Sequence, residues 1–205
     1  MAEGVPATAT GATTAGLVLA AGAGVRMGGP KALVAHPQGG ALLTHALAVL
    51  REAGCEPVVA VLGAEAASAS MLTRAADVVV VAEDWATGQA ASLRAGLEAV
   101  QSTGAQAVVV LLVDLPDVTA QVVVRVVAAA GGTPQALARA AYLGMPGHPV
   151  VLGRDHWGGV LASATGDQGA RDYLATHAHL SIECGDLATG GDVDTPADLA
   201  PPSRT

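Results

Sequence analysis

The chain has 205 residues, 51% of them hydrophobic and 14% charged, with a formal net charge of −8. That suits one α/β domain with a sizeable core and excludes wholesale disorder. Acidity, the absence of Phe, and only two Tyr and two Trp argue against nucleic-acid binding, which needs basic surface and stacking rings.

The mean hydropathy of +0.47 comes from Ala, Val and Gly. No apolar run of about eighteen residues is free of Gly, Pro or charge, so no transmembrane helix and no membrane partner are expected. Cys55 and Cys184 lie far apart and imply neither a disulfide framework nor a zinc site, in keeping with a reducing, cytoplasmic setting. Residues 1–15 are small and polar, with Glu3 their only charge. They lack the basic start and apolar middle of a signal peptide and read as a flexible tail before one domain over 16–205.

In chain order, Leu17–Ala20 predicts a buried first strand ending in a glycine-rich turn. Ala41–Ala53 has helical spacing with Leu43, Leu47 and Leu50 on one stripe, stopped by Gly54. Pro57–Leu62 reads as a strand, Ala64–Ala75 as a helix, Asp77–Ala82 as a strand and Gly88–Gln101 as a helix. Ala107–Val113 is the most apolar strand and is expected at the sheet centre, buried on both faces. A further helix follows, capped by Asp117 or Thr119. Repeated βα alternation specifies a mainly parallel sheet. A hairpin of Ala136–Tyr142 and Pro149–Leu152, around a turn at Leu143–His148, then interrupts it. Arg154–Ala162 and Gln168–His177 read as helices and Leu180–Cys184 as a last strand.

Chemistry concentrates in Leu19-Ala20-Ala21-Gly22-Ala23-Gly24-Val25-Arg26-Met27-Gly28-Gly29-Pro30-Lys31. A glycine-rich loop after a first parallel strand sits at the carboxyl edge of a sheet, where backbone amides can cradle phosphates. Gly28-Gly29-Pro30 blocks the direct loop-to-helix passage of a dinucleotide fingerprint. A Walker loop is excluded because Pro30 precedes Lys31 and Ala32 follows it. Backbone amides from Gly22 and Gly24 remain, with two cations, Arg26 and Lys31. Lys31 is the only lysine against nine arginines, which marks it as a compact ammonium in a chain whose usual cation is Arg.

This loop resembles the signature of nucleotidyltransferases with a glycosyltransferase-A-like fold, most nearly the molybdenum cofactor nucleotidyltransferases. The likeness spans residues 16–199 through several spaced motifs. It implies a single-domain, three-layer nucleotide-diphospho-sugar-transferase-like α/β fold with a mainly parallel mixed sheet. It also implies nucleotidyl transfer to the phosphate of molybdopterin, with Mg²⁺ as cofactor and, as a further partner, a molybdenum hydroxylase that receives the product. Lys31, Arg26 and Asp114 are the implied catalytic residues. Leu19, Ala20, Ala21, Gly22, Gly24, Gly88 and Ser92 would join them around the nucleotide.

Val113-Asp114-Leu115-Pro116 ends the central strand, where a carboxylate can meet a phosphate-bridging Mg²⁺; the family usually reads Asp-Gln-Pro. Asp192-Val193-Asp194-Thr195-Pro196-Ala197-Asp198-Leu199 resembles the stretch that closes the site near the metal. Thr195, Pro196 and Asp198 also make a helix start. Asp192 is favoured over Asp194 as the second carboxylate. Trp85 to Leu93 resembles a family segment preceded by an asparagine; Ala82 stands at that point, and the chain has no asparagine. Pro146 to Val150 and Gly166 to Arg171 resemble motifs of the acceptor half. His148, Asp167 and Arg171 are its candidate contacts, with Asp167 expected to cap the helix carrying Arg171.

Ala20-Ala21-Gly22 resembles the cytidylyl-transferring branch, since guanylyl-transferring members tend towards more glycine here. CTP is therefore the expected nucleotide. The other readings are a GTP-using enzyme, transfer to a sugar phosphate or methylerythritol phosphate, and a cofactor-binding chaperone.

Overall fold

The computed structural model describes residues 13–199; of the tail expected over 1–15, residues 1–12 lie outside them. The chain runs β1 (Thr14–Ala20), α1 (Leu42–Glu52), β2 (Val58–Leu62), α2 (Ala66–Ser70), β3 (Val78–Val81), α3 (Gln89–Gln101) and β4 (Ala107–Leu112). It continues through α4 (Ala120–Ala130), β5 (Leu137–Tyr142), β6 (Met145–Gly153), α5 (Arg154–Ser163), α6 (Arg171–Thr176) and β7 (Leu180–Glu183). β1 opens at Thr14, ahead of the boundary expected from the sequence, because Thr14 and Ala15 already pair with Ala107 and Val108.

Seven strands form one sheet in the order β3-β2-β1-β4-β6-β5-β7. β1 pairs in parallel with β2 and β4, β2 with β3, and β5 with β7. Only β6 runs antiparallel, against β4 and β5. This is the mainly parallel mixed sheet that the motif resemblance implies. β4 is the middle strand, and its valines are buried on both sides.

Strand alternation divides the apolar residues between two cores, one on each face of the sheet. Val18, Val58, Val109 and Ala138 pack under α1 and α4 with Leu43, Leu47, Val122 and Val126. Leu17, Val59, Val61, Val108 and Leu152 pack under α3, α5 and α6 with Leu97, Trp157 and Leu174. These two helical layers complete a three-layer domain.

Three boundaries depart from the periodicity, each for a local reason. The second helix covers only Ala66–Ser70; beyond it the Ser70 and Thr73 hydroxyls donate to the carbonyls of Ala67 and Ser70, competing with helix propagation. The hairpin turn is only Leu143-Gly144, both at positive φ, so Pro146, Gly147 and His148 belong to the strand. The Glu183 carboxylate stabilises that turn by accepting from the N–H groups of Leu143 and Gly144, at 2.9 and 3.0 Å. The last helix begins at Arg171 rather than Gln168, after Gly169 at φ +54°.

Candidate active site

The glycine loop leaves β1 at the carboxyl edge of the sheet and folds back on itself. Gly24 sits at φ +58°, and a Cβ there would lie 2.0 Å from the Gly29 carbonyl oxygen. That same approach lets the Gly24 carbonyl accept from Met27 N–H at 2.9 Å and Gly29 N–H at 3.2 Å. A side chain at this position would open the loop. Met27 is buried beneath it, and Pro30 starts a short 3-10 turn at Lys31–Leu33 that turns the lysine inward.

The Lys31 ammonium donates to Asp114 Oδ2 and to Asp194 Oδ1, both at 2.7 Å. Arg26 pairs with the other Asp194 oxygen at 2.9 Å. With its side chain 72% exposed, Arg26 adds little stability through that screened pair. Lys31 is only 16% exposed. Burial works to lower its pKa, but the hydrogen bonds and charges of Asp114 and Asp194 outweigh burial and raise it. Lys31 thus stays a cation throughout the physiological range. The hydrogen bond from Lys31 is the main cause holding the Asp194 carboxyl below the usual carboxylate range.

Backbone contacts bring the acidic groups together. Val193 N–H donates to the Asp114 carbonyl at 2.9 Å, docking the Asp192–Asp194 segment onto the end of β4. The Asp198 carboxylate accepts from the N–H groups of Asp194 and Thr195 at 3.0 and 2.7 Å, as a capping acid does. Val193 is buried between two outward aspartates. Asp114, Asp192 and Asp194 each present an oxygen within 4.8 Å of the others. Asp114 Oδ1 is buried without a hydrogen-bond partner. A hard cation with oxygen ligands fits this donor set.

A pocket of about 460 Å³ opens over these groups. Leu19, Ala21, Gly22, Gly24, Arg26, Lys31, Gly88, Ser92, Asp114, Asp167 and Asp194 line it, so most of the expected nucleotide-side residues share one cavity. Ala20 does not reach it: its methyl lies in the core on the opposite sheet face. Asp192, His148 and Arg171 also stand outside the lining. Trp85, Ala86, Gln89, Val25, Leu112 and Val113 complete it. The Trp85 segment was visible in the sequence as a motif, but nothing in spacing singled out its ring or Gln89. Ala82, where the family has asparagine, is buried in the core under α3.

Asp167 corrects an expectation. It does not cap α6; its Oδ1 accepts from Gln89 N–H at 3.3 Å, at the start of α3. Gly166 and Gly169, at φ +49° and +54°, turn this loop towards α3. Gly88, at φ +125°, admits the loop so closely that a Cβ would lie 2.4 Å from the Gly166 carbonyl carbon. Asp117 is likewise not a helix cap, since it accepts from the N–H and hydroxyl of Thr189, both at 2.6 Å. Thr119 occupies the cap position of α4 without a side-chain hydrogen bond.

His148 lies on β6, its carbonyl accepting from the Tyr142 hydroxyl at 2.6 Å. Burial, with the charges of Arg139 and Arg171, pushes its pKa down to about 4. The folded protein binds that proton less readily than the unfolded chain, so this histidine lowers stability as pH falls from about 6.5 towards 4. A proton NMR titration should show the His148 ring unprotonated at pH 6, with a midpoint near 4. A midpoint near the ordinary histidine value would place the ring in solvent, away from both arginines.

A glycine-rich loop facing a lysine–aspartate network, at the carboxyl edge of this mixed sheet, accompanies the nucleotide-diphospho-sugar-transferase fold of nucleotidyltransferases. The chain belongs to the MobA-like NTP transferase domain family, whose model matches residues 16–180. It is 35% identical over 191 residues to the nicotine blue oxidoreductase of Paenarthrobacter nicotinovorans, covering 88% of this chain and 91% of that protein. It is 31% identical over 197 residues to a probable molybdenum cofactor guanylyltransferase of Rhodopirellula baltica, covering 91% and 90%. Among solved structures, Rv0371c of Mycobacterium tuberculosis superposes with a TM-score of 0.75 at 28% identity, covering 93% and 96%. A manganese complex of Rv0371c gives 0.69 at 27% identity, covering 91% and 97%. No helix of the described residues is long and apolar enough to cross a membrane.

Proposed function

We propose that this protein transfers a nucleoside monophosphate, CMP from CTP by preference, to the phosphate of a molybdopterin-type acceptor and releases pyrophosphate. The observation that carries this reading is the Lys31 ammonium held 2.7 Å from both Asp114 and Asp194, beside a glycine loop whose Gly22 and Gly24 line the same pocket. An acceptor phosphate oxygen forms a bond to the α-phosphorus while the bond to the β-phosphate oxygen breaks in line. A phosphate monoester has a second pKa of about 6, so the nucleophile is already ionised and needs no general base. Catalysis then rests on alignment and charge. Gly22 and Gly24 offer amides to the triphosphate, and Lys31 and Arg26 stabilise the leaving pyrophosphate.

Asp114 and Asp192 are the residues proposed to hold Mg²⁺. Asp114 Oδ1 has no partner, and Asp192 makes no hydrogen bond or ion pair among the described residues. Both oxygens of Asp194 already face cations, which favours Asp192 as the second ligand. Mg²⁺ would supply charge neutralisation at the transferring phosphate. Ser92 and Gly88 contribute to the nucleotide side, and His148 and Arg171 face the acceptor. A molybdenum hydroxylase is the proposed recipient of the finished cofactor.

Base choice rests on Ala21. Its methyl packs near Trp85, since a Cβ added at Gly63 would come 2.7 Å from it and 2.6 Å from the Trp85 ring. A methyl-sized misfit is worth about 10–200-fold in specificity. CTP is expected to exceed GTP in kcat/KM within that range, and Ala21→Gly to narrow the gap by improving GTP. Competition assays with both nucleotides test this, and equal use of the two by the unsubstituted protein contradicts it. The similarity to a probable guanylyltransferase makes GTP the specific alternative.

A second reading, hydride transfer, is favoured by the similarity to nicotine blue oxidoreductase. A thermal-shift panel separates the two. Triphosphates with Mg²⁺ should stabilise the protein, whereas stabilisation by reduced nicotinamide nucleotides alone would support the redox reading.

A further inference from the structure

Among the described residues, Arg139 on β5 and Arg171 at the start of α6 differ from Lys31 and Arg26 in having no carboxylate partner. Among the described residues neither enters an ion pair, and Arg139 Nε is buried without a hydrogen-bond partner. A buried, unpaired guanidinium edge costs folding free energy unless an anion meets it. Burial first, and then the like charge of Arg171, lower the pKa of Arg139, and both arginine charges also act on His148.

Strand register places Arg139 on the sheet face that leads to the pocket, and Arg171 follows the Asp167 loop that lines it. Arg139 lies opposite Val150 of β6, and Val150 opposite Val110 of β4. Leu112 stands two residues after Val110 and continues on that face of the sheet, whereas His148 lies on β6 where its register with β5 shifts, within reach of the charges of Arg139 and Arg171. Leu112 lines the pocket. β4 therefore separates β1, which carries the glycine loop, from β6 and β5, which carry His148 and Arg139. On one side of β4 the cations are already matched by Asp114 and Asp194; on the other the positive charge is unspent.

We propose that Arg139 and Arg171, with His148 between them and Leu112, form an anion subsite that receives the phosphate of the acceptor as it approaches the nucleotide. The inference rests on the nucleotidyl-transfer reading and adds to it a binding residue, Arg139, that no motif marks. A doubly charged acceptor must approach a triphosphate of the same sign. Cations on its own side offset that repulsion, as Lys31 and Arg26 do on the other. The guanidinium fork also matches phosphate oxygens better than an ammonium does.

The test is calorimetric titration of inorganic phosphate into protein saturated with Mg²⁺ and α,β-methylene-CTP, which keeps the glycine loop filled. Phosphate should bind the unsubstituted protein, and Arg139→Met should weaken it by about tenfold or more. Arg139→Lys, which keeps charge but loses the fork, should fall between them. In phosphate-free buffer Arg139→Met should melt at a higher temperature, because the unpaired guanidinium is gone, and should bind the nucleotide analogue normally. Unchanged phosphate affinity in Arg139→Met, or a lower melting temperature, overturns the proposal. If the unsubstituted protein binds no nucleotide, the nucleotidyl-transfer reading fails instead. Phosphate titrated into protein alone then decides the subsite, which stands only if Arg139→Met still loses affinity.

Discussion

Asp114→Asn is expected to abolish Mg²⁺-dependent nucleotidyl transfer, with a rate loss on the order of 10²–10³-fold, the scale for losing one preorganised electrostatic contact. The substitution keeps the shape of the side chain and removes its charge. Oδ2 would no longer attract Lys31 as an ion, and the buried Oδ1 would become a weak ligand or an amide donor. Fold should be largely retained, since Lys31 keeps its bond to Asp194 and Val193 still donates to the residue 114 carbonyl. Nucleotide should bind as before without metal, through the glycine-loop amides. Asp192→Ala should raise the Mg²⁺ concentration needed for half-maximal rate more than Asp194→Ala does. Rate measurements across a Mg²⁺ series check both statements. Mild, equal effects from all three changes would mean that substrate phosphates and water alone hold the metal.

Lys31→Ala should lower turnover by about 10²-fold or more. The ammonium is the group between Asp114 and Asp194, so its removal leaves two carboxylates facing each other and the triphosphate without its most buried cation. Lys31→Arg is not expected to restore the rate. A planar fork cannot occupy a position shaped for a compact point charge 2.7 Å from two separate oxygens. Far-ultraviolet circular dichroism should be unchanged, because Lys31 carries little of the core. Single-turnover rates with saturating nucleotide measure the effect. Near-normal turnover in Lys31→Ala would remove this residue from the chemistry.

Much of this architecture is legible in the residues. The alternation of Val-rich runs with Leu-striped helices predicts the parallel strands, and the apolar Ala107–Val113 run predicts the central one. The order of the strands is not legible, because β6 enters beside β4 through long-range pairing that periodicity does not encode. Lys31 stands out in composition, and Asp114 by its place at a strand end. Asp167 was misassigned to α6 because only tertiary folding turns Gly166 against Gly88. Ala20 and Ala21 look alike in sequence, yet strand alternation sends the Ala20 methyl into the core and leaves Ala21 to the pocket. The role of His36 emerges only from tertiary folding. Its Nδ1 accepts from Gln38 N–H at 3.1 Å, so Nε2 carries the hydrogen and donates to the Pro116 carbonyl at 3.0 Å. That bond ties the loop after Lys31 to the turn after Asp114.

Movement of a nucleotide from a triphosphate to a phosphate acceptor is the reaction proposed for this pocket. It is tested most directly by mixing the protein with CTP or GTP, Mg²⁺ and molybdopterin and following pyrophosphate. The expected result is acceptor-dependent pyrophosphate release in step with formation of a dinucleotide-type product, lost in Asp114→Asn and strongly reduced in Lys31→Ala. Release that is absent with every triphosphate, or that is unchanged in both variants, would contradict the account.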